Sequence, residues 1–175
     1  MRPFSSQRRH LYRDVLRDRL AGKGGQHLPD RFAALSMAAG DLADNSGRPR
    51  QFHTFMQHMN GTINNRIFEM TGVAEEEVVQ LGAHEVWEFV NRGGMPALPH
   101  PMHVHGLQFR VLGRMGGLYS GYLDEGWKDT VMLMPGERVR LLMRFEDYDG
   151  LFLYHCHNLE HEDMGMMRNY YVRKV

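Results

Sequence analysis

The amino-acid sequence predicts an all-β fold, an antiparallel sandwich behind a helical extension. From about residue 51 short strand-like runs follow one another, about seven in 125 residues. Turn-forming residues separate them. The first 50 residues differ in texture and charge, with 10 basic and 5 acidic side chains against 11 basic and 16 acidic in residues 51–175.

Along the chain, Arg8–Leu20 carries Leu11, Val15, Leu16 and Leu20 at helical spacing with arginines between, a basic amphipathic helix stopped by Gly22 and Gly24-Gly25. No apolar stretch follows the basic start, as a secretory signal requires. Residues 26–50 hold Pro29, Gly40, Asn45, Ser46, Gly47 and Pro49, which reads as a linker with at most a short helix near Arg31–Met37. The expected division is therefore 1–50, helical extension and linker, and 51–175, the β domain. Its clearest strand is Glu137–Phe145, where Val139, Leu141, Met143 and Phe145 alternate with Arg138, Arg140 and Arg144. Glu77–Leu81, His84–Val90, Leu107–Leu112, Thr130–Met134, Leu151–His157 and Arg168–Val172 read as further strands. Pro135-Gly136 is a tight turn.

The 21 Lys and Arg balance 21 Asp and Glu, which argues against a globally basic nucleic-acid binder. No apolar run approaches the roughly 20 residues of a membrane-spanning helix. A single cysteine, Cys156, excludes an intrachain disulfide and a Cys-only zinc site. The 11 His and 14 Met are many for this length, and both residue types bind transition metals.

Six histidines fall in two clusters, His100-Pro-Met-His103-Val-His105-Gly106 and His155-Cys156-His157-Asn-Leu-Glu-His161, the second followed by Met164, Met166 and Met167. On a strand, neighbouring side chains face opposite sides. His155 and His157 then point one way and Cys156 the other, so three adjacent residues can serve two metal sites. Cys156, His161 and Met166 offer a thiolate, an imidazole and a weak thioether. One more imidazole, for which His100 is the natural candidate, completes a trigonal His₂Cys site with a long axial Met, the donor set of blue copper. His103 and His105 share a face if their segment is extended, and with His155 and His157 they form four converging imidazoles that suit copper or zinc.

Zinc is the chemical rival at Cys156, but it has no use for a terminal thioether. A nucleophilic Cys156 with a histidine partner is poorly placed between two histidines on a strand. His10, His27, His53, His58 and His84 read as ordinary surface or core residues. The remaining methionines read as core filler rather than as surface Cu(I) ligands.

His-Pro-x-His-x-His-Gly followed by His-Cys-His-x₃-His-x₄-Met resembles the last cupredoxin domain of multicopper oxidases, closest to the bacterial laccase-like and copper-efflux-type enzymes. Asn60-Gly-Thr-Ile-Asn-Asn-Arg-Ile-Phe, Gly126-Trp-Lys-Asp-Thr-Val and Met134-Pro-Gly-Glu-Arg-Val extend the resemblance over about residues 50–175. The resemblance implies a Greek-key cupredoxin sandwich. It also implies a type 1 copper held by His100, Cys156, His161 and Met166, taking single electrons from a phenol-like or metal-ion reductant. His103 would be a type 2 ligand, and His105, His155 and His157 type 3 ligands, of a trinuclear cluster that reduces O₂ to water. His155-Cys156-His157 would be the electron path between the centres. Glu162 would assist proton delivery, or is a surface carboxylate. Asp129 and Trp127 read as structural.

A complete trinuclear cluster takes eight histidines, and this sequence supplies the last four. It therefore reads as a C-terminal piece of a larger oxidase, incomplete alone, with a further cupredoxin domain or other chains supplying four more imidazoles. The family it resembles is periplasmic or otherwise extracytoplasmic, and neither a nucleic-acid nor a membrane partner is expected. Two alternatives stand beside the oxidase reading: a stand-alone blue-copper electron-transfer domain without oxygen chemistry, and simple metal sequestration.

Overall fold

The computed structural model describes residues 43–57, 60–117, 119 and 121–174. The expected helices at Arg8–Leu20 and Arg31–Met37 lie outside the described residues. Ten strands form two five-stranded sheets: β1 (Arg50–Gln57), β2 (Asn60–Ile63), β3 (Val78–Gln80), β4 (His84–Met95), β5 (His100–Val104), β6 (Phe109–Met115), β7 (Thr130–Leu133), β8 (Arg138–Arg144), β9 (Gly150–Cys156) and β10 (Met167–Arg173). The first sheet runs β2-β1-β4-β8-β6 and the second β3-β10-β9-β5-β7. From β3 onward the chain alternates between the sheets until β9 and β10 pair, which gives the Greek-key sandwich of a cupredoxin. Among the described residues no helix is long and apolar enough to cross a membrane.

Two pairs, β1 with β4 and β3 with β10, are parallel, so the sandwich is mixed rather than antiparallel throughout. Parallel neighbours need a long crossover, which residues 58–83 supply between β1 and β4. Alternation reports which face a residue takes, not the direction of the strand beside it.

Val139, Leu141, Met143 and Phe145 enter the core as their spacing predicts. The core centres on aromatic rings. Trp87 lies 4.5 Å from Phe52 and 5.7 Å from Tyr154, centroid to centroid, in face-tilted and edge contacts. Met56, Met102, Met143 and Met166 fill gaps around them, but Met70, Met95, Met115 and Met132 are exposed, so core filling accounts for only part of the methionine excess.

The end of the expected linker is not free chain. Asp44 N–H donates to the His84 carbonyl at 2.7 Å, and the Asn45 amide both donates to the Val86 carbonyl (3.0 Å) and accepts its N–H (2.6 Å), so these residues extend the hydrogen bonding of β4. β4 itself runs on through Gly93-Gly94, where its sequence suggests a stop. A Cβ at Gly94 would meet the Met56 carbonyl oxygen at 2.1 Å, and glycine permits that approach.

A buried ion pair ties a 3-10 turn, Glu75–Glu77, to the second sheet. Arg168 on β10 donates from Nε and Nη2 to Glu77 at 2.8 and 2.7 Å, and the Tyr154 hydroxyl donates to the same carboxylate at 2.7 Å. The Ala74 N–H adds a fourth donor at 2.6 Å.

Candidate metal centres

The register of β5 and β9 builds both histidine clusters. Met102 lies opposite Cys156 and His103 opposite His155. His103 lies three positions after His100, an odd step, so they take opposite faces of β5. His100, Met102 and Val104 are buried on the core side, and Cys156 joins them in the core. His155 and Cys156 take opposite faces of β9, as strand alternation predicts.

On the core side, Cys156 Sγ lies 3.3 Å from His161 Nδ1 and 3.6 Å from His100 Nδ1, and the two nitrogens are 3.2 Å apart. All three residues are buried. Two nitrogens bound to one metal at about 2.0 Å in tetrahedral or trigonal geometry stand roughly 3.3 Å apart, so the donor set fits a single ion. The soft thiolate with two imidazoles suits copper. Burial lowers the pKa of His100 to about 4, with repulsion from His161 adding to the effect, and burial lowers that of His161 as well. Both imidazoles are thus neutral, as ligands must be. Burial pushes the Cys156 thiol up to about 11.

The loop after β9 brings His161 into place. A short helix, α1 (Leu159–Asp163), is capped by the Asn158 side chain, which accepts the Glu160 N–H at 3.2 Å. Met166 closes the loop: its N–H donates to the His161 carbonyl at 2.9 Å and its carbonyl accepts the Cys156 N–H at 3.1 Å. The Met166 side chain is buried in the same core, and its Cε would stand 2.9 Å from a Cβ at Gly61. Gly61 makes room for Met166 from β2, a role that the two histidine clusters do not signal.

On the outer side, His103, His105 and His155 bring one ligand atom each within 4.8 Å of one another. His105 Nε2 and His155 Nε2 are 3.0 Å apart. His103 Nδ1 donates to the Asp129 carbonyl at 2.8 Å, which leaves Nε2 with its lone pair for a metal. Asp129 therefore supports the cluster through its main chain, and Thr130 Oγ1, 3.0 Å from the same Nδ1, is a second support that sequence reading passes over. Burial, with the charges of neighbouring histidines, lowers the pKa of His105, while burial also lowers that of His155. His157 is half-exposed, its ring 5.3 Å from that of His155 and 5.6 Å from that of His103. It flanks the group rather than closing it. Glu162 Oε2 is buried without a hydrogen-bond partner, 3.5 Å from His155 Nδ1 and 4.0 Å from His157 Nδ1.

His53 and His84 stand apart from both clusters: His53 Nδ1 accepts from Arg92 Nε at 3.0 Å, and His84 Nε2 lies 2.8 Å from Glu146. His10, His27 and His58 lie outside the described residues.

The family model described as multicopper oxidase matches residues 42–175. The chain belongs to the multicopper oxidase family. A laccase of Haloferax volcanii is 52% identical over 90 residues, covering 50% of this chain and 15% of the relative. The multicopper oxidase mco of Staphylococcus aureus is 36% identical over 116 residues, covering 66% of this chain and 25% of the relative. Among solved structures, the McoA multicopper oxidase of the hyperthermophile Aquifex aeolicus superposes with a TM-score of 0.68 at 33% identity, over 85% of this chain and 33% of that one. The chain thus spans a quarter or less of these curated relatives and about a third of this solved structure. As a member of an oxidoreductase family whose relatives include laccases and a bilirubin oxidase, it carries candidate copper ligands on a cupredoxin sandwich.

Proposed function

We propose that residues 51–175 form the C-terminal copper domain of a laccase-like multicopper oxidase. The observation that carries this reading is the buried triad His100, Cys156 and His161, with donor atoms 3.2–3.6 Å apart and Met166 locked to the same loop. These four residues would hold a type 1 copper. His103, His105, His155 and His157 would supply half of a trinuclear cluster, and four more imidazoles would come from a further cupredoxin domain or another chain. When bound, copper supplies one-electron redox chemistry between a phenol-like or metal-ion reductant and O₂.

The chain's own residues do the rest. His100 on β5, Cys156 on β9 and His161 on α1 already stand within 3.2–3.6 Å of one another, so they would take an ion without a change of fold, the Cys156 thiol giving up its proton as it binds. The hydrophobic shell around Cys156 excludes water from the thiolate. The covalent run His155-Cys156-His157 spans from one face of β9 to the other, a short through-bond route between the centres. Glu162, with a buried oxygen facing His155 and His157, is placed to hold and release a proton there.

Copper reconstitution tests the proposal. The expected product has an intense blue thiolate-to-copper band that Cys156→Ser removes with the far-UV circular dichroism unchanged, and that His103→Ala and His157→Ala leave in place. A copper-loaded chain without that band would remove Cys156 from the type 1 role. The second reading, a blue-copper electron carrier, is favoured by one observation: the core-side triad is complete within this chain, whereas the outer cluster opens to solvent at His157. Oxygen uptake that appears only when a chain carrying the missing imidazoles is added separates the oxidase from the carrier.

A further inference from the structure

The outer face of the first sheet carries a feature that the metal centres do not use. Across β4 and β8, Val90 lies opposite Arg138, Glu88 opposite Arg140 and Val86 opposite Leu142. Trp87, Phe89, Val139 and Leu141 take the core side, so these residues face outward. Arg110 on β6 sits opposite Leu142, and Arg92 and Arg144 complete the set. Five of the 11 Lys and Arg in residues 51–175 therefore share one face of one sheet, in a segment that carries 16 Asp and Glu. Glu88 is buried among them, accepting from Gln51 and Arg140 at 2.8 Å and from Arg138 at 3.4 Å.

Beside the arginines is a cavity of about 470 Å³ lined by Val86, Leu112, Met115, Arg138 and Arg140 among others. Leu112 and Met115 are 39% and 56% exposed. Arginine and methionine over an apolar floor is the composition of a protein interface. Among the described residues lining the cavity none offers an aromatic ring for base stacking, which disfavours a nucleic acid. Ala43 is buried with Val86 and Leu142 on this face and Ser46 lines the cavity, while Leu112 and Met115 stay exposed.

The complement lies at the far end of β8. Glu146-Asp147-Tyr148-Asp149 is exposed throughout, with Tyr148 at 69%. Glu146 is engaged by His84, which leaves Asp147 and Asp149 flanking the tyrosine. Because the arginines and the cavity begin β8 and the acidic loop follows its end, a two-fold axis across the face brings each loop over the other copy's cavity. We propose that the chain pairs with a second copy of itself through this face, Tyr148 entering between Leu112 and Met115 while Asp147 and Asp149 meet Arg138 and Arg140. Each contact is made twice, as an isologous pair requires. The outer histidine cluster belongs to the other sheet and stays open.

Sedimentation velocity of the full chain over a concentration series tests this. The expected result is a dimer that weakens with added salt. Leu112→Glu/Met115→Glu and Asp147→Lys/Asp149→Lys change exposed positions only; each should sediment as a monomer alone, and an equimolar mixture should recover the dimer in part, because a mixed pair keeps one of the two wild-type loop-to-cavity contacts. Tyr148→Ala should raise the dimer dissociation constant at least about tenfold. A wild-type chain that is monomeric at every concentration, a dimer undiminished in the variants, or a mixture that stays monomeric would overturn the proposal.

Discussion

Replacing Arg168 by methionine is expected to cost about 3–5 kcal/mol of folding stability, the range for breaking a buried ion pair on one side. Glu77 is 1% exposed and satisfies its two oxygens with four donors, of which Arg168 supplies two. Methionine matches the length of the arginine stem but leaves the carboxylate with the Tyr154 hydroxyl and one amide, out of reach of water. Against the roughly 5–15 kcal/mol by which such domains are stable, this is a large fraction. Glu77→Gln should cost less, because the amide keeps an acceptor and removes the buried negative charge. The double variant should cost less than the sum of the two by on the order of 2 kcal/mol, since neither partner is then left charged and alone. Urea unfolding followed by the fluorescence of Trp87, which is fully buried, gives the three free energies. A cost below about 1 kcal/mol for Arg168→Met, or strict additivity in the cycle, would refute the reasoning.

Gly61→Ala places a methyl 2.9 Å from Met166 Cε and 3.1 Å from Met56 Sδ; it should cost about 1–3 kcal/mol in thermal unfolding and shift the visible spectrum of the copper-loaded protein, with no shift counting against the role of Met166. Tyr170→Phe removes the hydroxyl that donates to the His105 carbonyl at 2.6 Å and should cost about 1–2 kcal/mol, read by urea titration. Asn158→Ala uncaps α1 and should cost about 1 kcal/mol while speeding copper loss to a chelator, because His161 rides on that helix.

The strands legible in the sequence were those with one apolar face and one polar face. β8 is the clearest, since its arginines alternate with residues that all enter the core. β1 escaped the strand list because Phe55 stands on the outer face and breaks the alternation of Phe52, Thr54 and Met56. β5 was hidden for the opposite reason: His100, a polar residue, occupies a core position, and Pro101 reads as a breaker. The two candidate ligand groups were legible because strand alternation is local, so that facing follows from position number alone. What lay beyond sequence was anything held from a distant strand. Gly61 makes room for Met166 from β2, and the Asp129 carbonyl orients His103 from the start of β7. Glu77 and Arg168, 91 positions apart, show no spacing that predicts their pairing.

The wall between the two clusters is one strand thick, and its thickness is set by counting. Substituting a residue in Tyr154–His157 alters a side chain, but inserting or deleting one turns every following side chain to the other face. An extra residue between Tyr154 and His155 would send the thiol outward and a histidine into the core, exchanging the contents of the two centres. This short stretch should therefore tolerate changes of composition at its flanks while tolerating no change of length. A mixed library of substitutions and single-codon insertions, sorted by retention of copper, would display that asymmetry as a sharp gap centred on Cys156.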